Sequence, residues 1–98
     1  MNIQAMMKQA QKMQKDMMKQ KQEIDDATFE GKSSFVTITM KGNREVTGVK
    51  IDVDSLEKDE IEMLEDIILV AVNDANKQIE DMTEKKLGQY TKGMPGLF

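Results

Sequence analysis

The chain has 98 residues, 14 basic and 18 acidic side chains, a formal charge of −4, and neither Cys nor His. The absence of Cys excludes disulfides, thiol chemistry and cysteine-based metal sites, and the absence of His removes the commonest general base and metal ligand. The acidic residues do not follow a calcium-loop pattern and the six Gly form no P-loop or dinucleotide fingerprint, so the expectation is a non-enzymatic protein with no cofactor, no metal and no small-molecule substrate.

A chain of this length is expected to form one domain, spanning residues 1–98, with a limited core. Ten Met supply much of its apolar material, against three Phe, one Tyr and no Trp. The N-terminal MNIQAMMKQAQKMQK is interrupted by Gln throughout, and the longest apolar run, Ile67 to Val72, falls far short of a span of about 18 residues. The reading is a soluble, cytoplasmic protein with no membrane partner. Charge is segregated along the chain: residues 1–51 carry +3, residues 52–84 carry −10 and residues 85–98 carry +3.

Residues 1–26 read as a helical arm. Ile3, Met6, Ala10, Met13, Met17 and Ile24 recur at helical spacing and form a narrow stripe, and no Gly or Pro interrupts them. Residues 28–53 change to period two. Val36, Ile38 and Met40 form one strand and Val49, Ile51 and Val53 another, with Lys41-Gly42-Asn43-Arg44 as the turn of an antiparallel hairpin. Thr28-Phe29-Glu30, followed by Gly31-Lys32-Ser33-Ser34, adds a short third strand. Residues 54–88 return to helical period. Asp54 or Ser55 caps a first turn, Asp59 with Glu62 caps the main helix, and Gly88 is expected to stop it. Residues 89–98, with Gly93, Pro95 and Gly96, read as a flexible tail. The expected fold is therefore α+β, in the order α-β-β-β-α, with a three-stranded antiparallel sheet.

The second helix is apolar on two sides. Ile61, Leu64, Ile68, Ala71, Val72, Ala75, Ile79 and Met82 share one face, and Met63, Ile67 and Val70 form a separate stripe. Helices of roughly 37 and 44 Å also overshoot a compact domain, whose radius of gyration would be about 13 Å. Both features predict a homodimer that buries Met63, Ile67 and Val70 and leaves the helical arms protruding.

Lys8, Lys12, Lys15 and Lys19 are spaced by four, three and four residues, which gathers their ammonium groups within about 60° of the helix surface, opposite the apolar stripe. Gln4, Gln11 and Gln22 lie along one edge and Asp16 lies off the row. A solvated face of an amphipathic helix would show the same row, and so would a surface for duplex DNA. Lys neutralises phosphate without reading sequence, and the single Arg, Arg44, leaves little base-reading capacity. A competing expectation is a non-catalytic protein-interaction adaptor or small chaperone, docking a client through the acidic second helix and the Met face.

Several segments together resemble the YbaB/EbfC nucleoid-associated family. They are Lys8-Gln9-Ala10-Gln11 with Met13-Gln14, Gly42, Val49-x-Ile51-Asp52, Glu62-Met63-Leu64-Glu65-Asp66, Asn73-Asp74-Ala75 and Gly93-Met94-Pro95-Gly96-Leu97. The resemblance covers essentially the whole chain in order. It implies an α-β-α protomer, a dimer with protruding arms, DNA binding in the bacterial nucleoid, modulation of gene expression or compaction, and a looser association with recombination and repair. Lys8, Gln9 and Gln11 match the family's first-helix motif, whereas Lys12, Lys15 and Lys19 are candidates by geometry. The candidate DNA-contacting set is thus Lys8, Gln11, Lys12, Lys15 and Lys19.

Overall fold

The computed structural model describes residues 2–91. Helix α1 (Ile3–Asp26) leads into strands β1 (Thr28–Ser33), β2 (Val36–Lys41) and β3 (Val46–Ile51), and a 3-10 turn at Lys58–Glu60 opens helix α2 (Ile61–Thr91). The order is α-β-β-β-α, as the sequence periodicity predicts.

Asn2 starts α1: its side-chain oxygen accepts from the backbone N–H groups of Gln4 (3.0 Å) and Ala5 (3.3 Å), two donors the first helical turn leaves without partners. The helix ends where Ala27 turns extended and its N–H reaches the carbonyls of Glu23 and Ile24. The sheet follows directly, in spatial order β1-β2-β3 with both pairs antiparallel. A two-residue loop, Ser34-Phe35, joins β1 to β2. The β2–β3 turn is held by the Asn43 side chain, which accepts from the Glu45 N–H at 2.9 Å.

One face of the sheet forms the core. Phe29, Val36, Ile38 and Met40 bury against Ala71, Ala75 and Ile79 of α2, with Ile24 and Leu87 completing the cluster. Small residues let helix and sheet approach closely. A Cβ placed on Gly31 would lie 2.6 Å from the Ala75 backbone nitrogen, so only glycine fits at that point. Polar bonds fix α2 along the outer edge of β1. The Lys32 N–H donates to Asp74 at 2.9 Å, and the Gln78 amide donates to the Glu30 carbonyl at 2.8 Å. This edge is therefore capped by side chains rather than left open.

Helix α2 packs on β1 and β2 and leaves β3 bare. Val46, Val49 and Ile51 pair with Met40, Ile38 and Val36 and so share the core face. They nevertheless remain 46%, 57% and 41% exposed. The molecule is elongated, with principal extents of 71 × 21 × 14 Å and a radius of gyration of 19.4 Å.

Several boundaries differ from the sequence expectation. Strand β1 continues through Gly31 to Ser33, because the close approach of α2 makes Gly31 a packing position rather than a turn. Strand β3 starts at Val46 and ends at Ile51, leaving Val53 outside it. The cap of the second helical segment falls at Glu57, whose N–H donates to the Glu60 carboxylate at 2.9 Å, and not at Asp59 with Glu62; the 3-10 turn moves the start of the segment back. Helix α2 does not stop at Gly88 but runs to Thr91, since Leu87 is buried and Tyr90 packs on the core beyond the glycine. Residues 89–91 thus belong to α2, and the rest of the expected tail lies outside the described residues. Ile61, assigned to the buried face, is 50% exposed. Ile67 of the second stripe packs partly on the core, whereas Met63 and Val70 are 43% and 54% exposed.

Candidate nucleic-acid interface

The structure divides α1 into a docked base and a free arm. At the base, Ile24 is buried, Met17 packs against the core, and Glu23 pairs with Lys86 of α2 at 3.8 Å. Every residue from 2 to 16 is exposed. No part of the described protomer covers this stretch on any side. Its helical state rests on the Asn2 cap, on good helix formers and on continuity with the anchored base.

The lysine row lies along this arm and runs down to its base. Lys8, Lys12, Lys15 and Lys19 are all exposed, and their Cα atoms rise about 16 Å along the axis. Among the described residues none of the four forms an ion pair. The ion pairs that α1 makes are instead Lys21 with Asp25 and Glu23 with Lys86, both clear of the row. Four ammonium groups thus face solvent on one side without a paired carboxylate, Asp16 lying one helical turn from Lys12 and Lys19 but bonded to neither. A like-charged row at this spacing mildly destabilises an isolated helix, and an external polyanion relieves that repulsion.

Of the edge glutamines, Gln4 and Gln11 are exposed on the arm. Gln22 lies at the base, where its amide donates to both carboxylate oxygens of Asp26 at 3.2 and 3.1 Å. Arg44 is likewise engaged elsewhere. It adopts a positive φ of 78° and its guanidinium donates to the Asn76 backbone carbonyl at 3.2 Å and to the Asn76 side chain. Its place is the wall of an open hollow shared with Met40, Val46 and Val72. The sequence treats Arg44 as a turn residue and gives no sign of its bond to α2, because the partner lies 32 positions away.

Charge separation in sequence becomes separation in space. The Glu23–Lys86 contact sets the base of α1 against the C-terminal part of α2. The stretch from Glu57 to Asp66, with six acids and one Lys, therefore begins about 30 Å away, at the opposite end of α2. A polyanion on the arm meets the basic end of the molecule and avoids the acidic one. Asn73-Asp74-Ala75 has an internal role, with Asp74 capping β1 and Ala75 packing against Gly31. Among the described residues no helix is long and apolar enough to cross a membrane.

Comparison with known proteins is consistent along the chain. The sequence model of the YbaB/EbfC DNA-binding family matches residues 1–94. A nucleoid-associated protein of Lactococcus lactis subsp. cremoris is 47% identical over 97 residues, covering 97% of this chain and 98% of its own. One from Enterococcus faecalis is 44% identical over 97 residues (97% and 93%), and one from Roseiflexus castenholzii is 39% identical over 95 residues (96% and 95%). With its fold, its exposed basic arm and this full-length similarity, the chain belongs to the YbaB/EbfC DNA-binding family.

Proposed function

We propose that this protein is a non-enzymatic, nucleoid-associated homodimer that binds duplex DNA through phosphate contacts from its α1 arms. Lys8, Lys12, Lys15 and Lys19 supply the charge and Gln11 lies beside them. Its role is chromosome organisation or modulation of gene expression in the bacterial cytoplasm. The observation that carries this reading is the arm itself, a helix exposed on all sides whose one basic face has no internal partner. The relatives are nucleoid-associated proteins by name and the family is a DNA-binding one, which supports the location and the ligand class.

The homodimer is supported by apolar surface that the protomer leaves open. Met63 and Val70 flank α2, and the β3 portion of the core face lies bare beside an outer strand edge that no described residue bonds. An unpaired apolar edge of this kind favours pairing with another chain. Contiguous exposed apolar surface marks association sites more generally.

Phosphate contact predicts a salt dependence. Log affinity should fall against log salt with a slope of about −0.9 per phosphate neutralised, or about −3.6 for the four lysines of one arm. Replacing Lys8, Lys12, Lys15 and Lys19 together by Gln should abolish binding while sedimentation still reports the native oligomer. Undiminished affinity in that variant would sink the site assignment.

A further inference from the structure

Helix α1 carries a second surface that neither the protomer core nor the lysine row uses. With Ile3 at heptad position a, Met6 falls at d, Ala10 at a, Met13 at d, and Met17 and Ile24 at a. At its base this seam is filled, since Ile24 is buried and Met17 packs on the core. Further out it is bare: Met13 is 40%, Met6 54% and Ile3 71% exposed.

We propose that this outer seam is a self-association surface, on which the arms of two copies from separate assemblies pack antiparallel through residues 3–13. The sequence of the seam is complementary to its own reverse. An antiparallel overlap centred on Lys8 sets Ile3 against the second copy's Met13 and Met6 against its Ala10, so a long side chain meets a small one in each central layer. The flanking e and g positions over this stretch are Met7, Gln14, Asn2 and Gln9, none of them charged. Lys8, Lys12, Lys15 and Lys19 occupy f and c and face away, so pairing brings no like charges together. Antiparallel overlap also leaves the two bodies at opposite ends, clear of each other.

The contact spans fewer than two heptads, less than a free-standing coiled coil requires. It is therefore separate from the stable dimer and strengthens where copies are concentrated along a polymer. Paired arms display lysine rows on opposite outer sides, about 20 Å apart. On the reading that these rows bind phosphate, one arm pair holds two duplexes.

Because the chain contains no Cys, the register is testable by disulfide trapping. Full-length Met6→Cys and Ala10→Cys proteins are mixed in equal amounts under mild oxidation, with and without duplex DNA. The expected product is the mixed Met6→Cys/Ala10→Cys crosslink, in excess over either self-crosslink and enriched by DNA. Ala5→Cys, off the seam, should trap poorly; trapping there as efficient as on the seam, or no mixed product, would overturn the proposal. In parallel, Met6→Gln with Met13→Gln should hold single-duplex affinity within about twofold, as exposed substitutions do. Capture of a second, labelled duplex by an immobilised one should fall about tenfold. Undiminished capture in that variant, or no capture by a native protein that does bind the immobilised duplex, would also overturn it. If the native protein ignores DNA altogether, the DNA-binding reading fails, while the mixed crosslink still reports the seam.

Discussion

Gly42 lies directly against the backbone carbonyl of Ile24, so the β2–β3 turn and the last turn of α1 meet with no room for a side chain. The Gly42 N–H donates to the Ala27 carbonyl at 3.0 Å, and a Cβ at this position would also come within 3.1 Å of the Asp25 Cα. These contacts are backbone on both sides, so no rotamer change relieves them. They set the angle at which the arm leaves the body.

Gly42→Ala should therefore destabilise the protein by about 1–3 kcal/mol, the usual range for overpacking a tight site. For a domain of this size each kcal/mol lowers the melting temperature by roughly 4–8 °C. Thermal melting of the purified variant measures this, and an unchanged midpoint would show that the turn yields more easily than its geometry suggests.

Gly31→Ala should be at least as damaging, because the new Cβ meets the Ala71 carbonyl and the Ala75 nitrogen in the middle of the core. Gly48→Ala is the natural comparison. There the nearest atoms are those of the Thr39 side chain at 3.6 Å, an ordinary contact, and the cost should stay within about 0.5 kcal/mol. Urea unfolding of the two variants should separate them clearly, and equal midpoints would refute the packing account.

Much of this architecture is legible in the sequence because it depends on period alone. The apolar recurrence from Ile3 to Ile24 marks a helix and the Val36-Ile38-Met40 alternation marks a strand. An exposed lysine row needs only its spacing to be seen. What escapes the sequence depends on partners distant along the chain. Asp74 caps β1 from 42 positions away, and Arg44 reaches Asn76. Gly88 looks like a helix stop, yet the burial of Leu87 carries α2 past it. Likewise, alternation in β3 reads as an ordinary half-buried strand, and only the position of α2 over β1 and β2 shows that the apolar side of β3 is uncovered.

Ser34 occupies the first position of the two-residue β1–β2 loop with a positive φ of 50°. An L side chain is strained there, and glycine is the residue such loops favour. Ser34→Gly should raise stability, the relief of about 1–2 kcal/mol outweighing the roughly 0.5–1 kcal/mol of added freedom in the unfolded chain. A lower denaturation midpoint would mean that the Ser34 conformation is held at no cost.

The bare β3 face and the exposed flank of α2 make separable predictions about assembly. Val49→Lys places a charge in the middle of the bare β3 face, and Met63→Glu with Val70→Glu places two on the α2 flank. All three residues are exposed in the protomer, so folding should survive each change. Sedimentation should show dissociation for whichever surface forms the dimer. A dimer unaffected by both variants would mean that neither surface holds the two copies together.

Individual lysines test whether the row acts as a set of point charges. Lys12→Gln removes one ammonium group from the centre of each row and should reduce the salt slope by about 0.9 per arm engaged, with affinity loss similar on every DNA sequence. Lys21→Gln removes the same charge from the same helix, but Lys21 points about 150° away from the row and pairs with Asp25 at 3.8 Å. Its loss should leave the slope nearly unchanged. If the two variants weaken binding equally, the net charge of the helix governs the interaction, and the placement of the row does not.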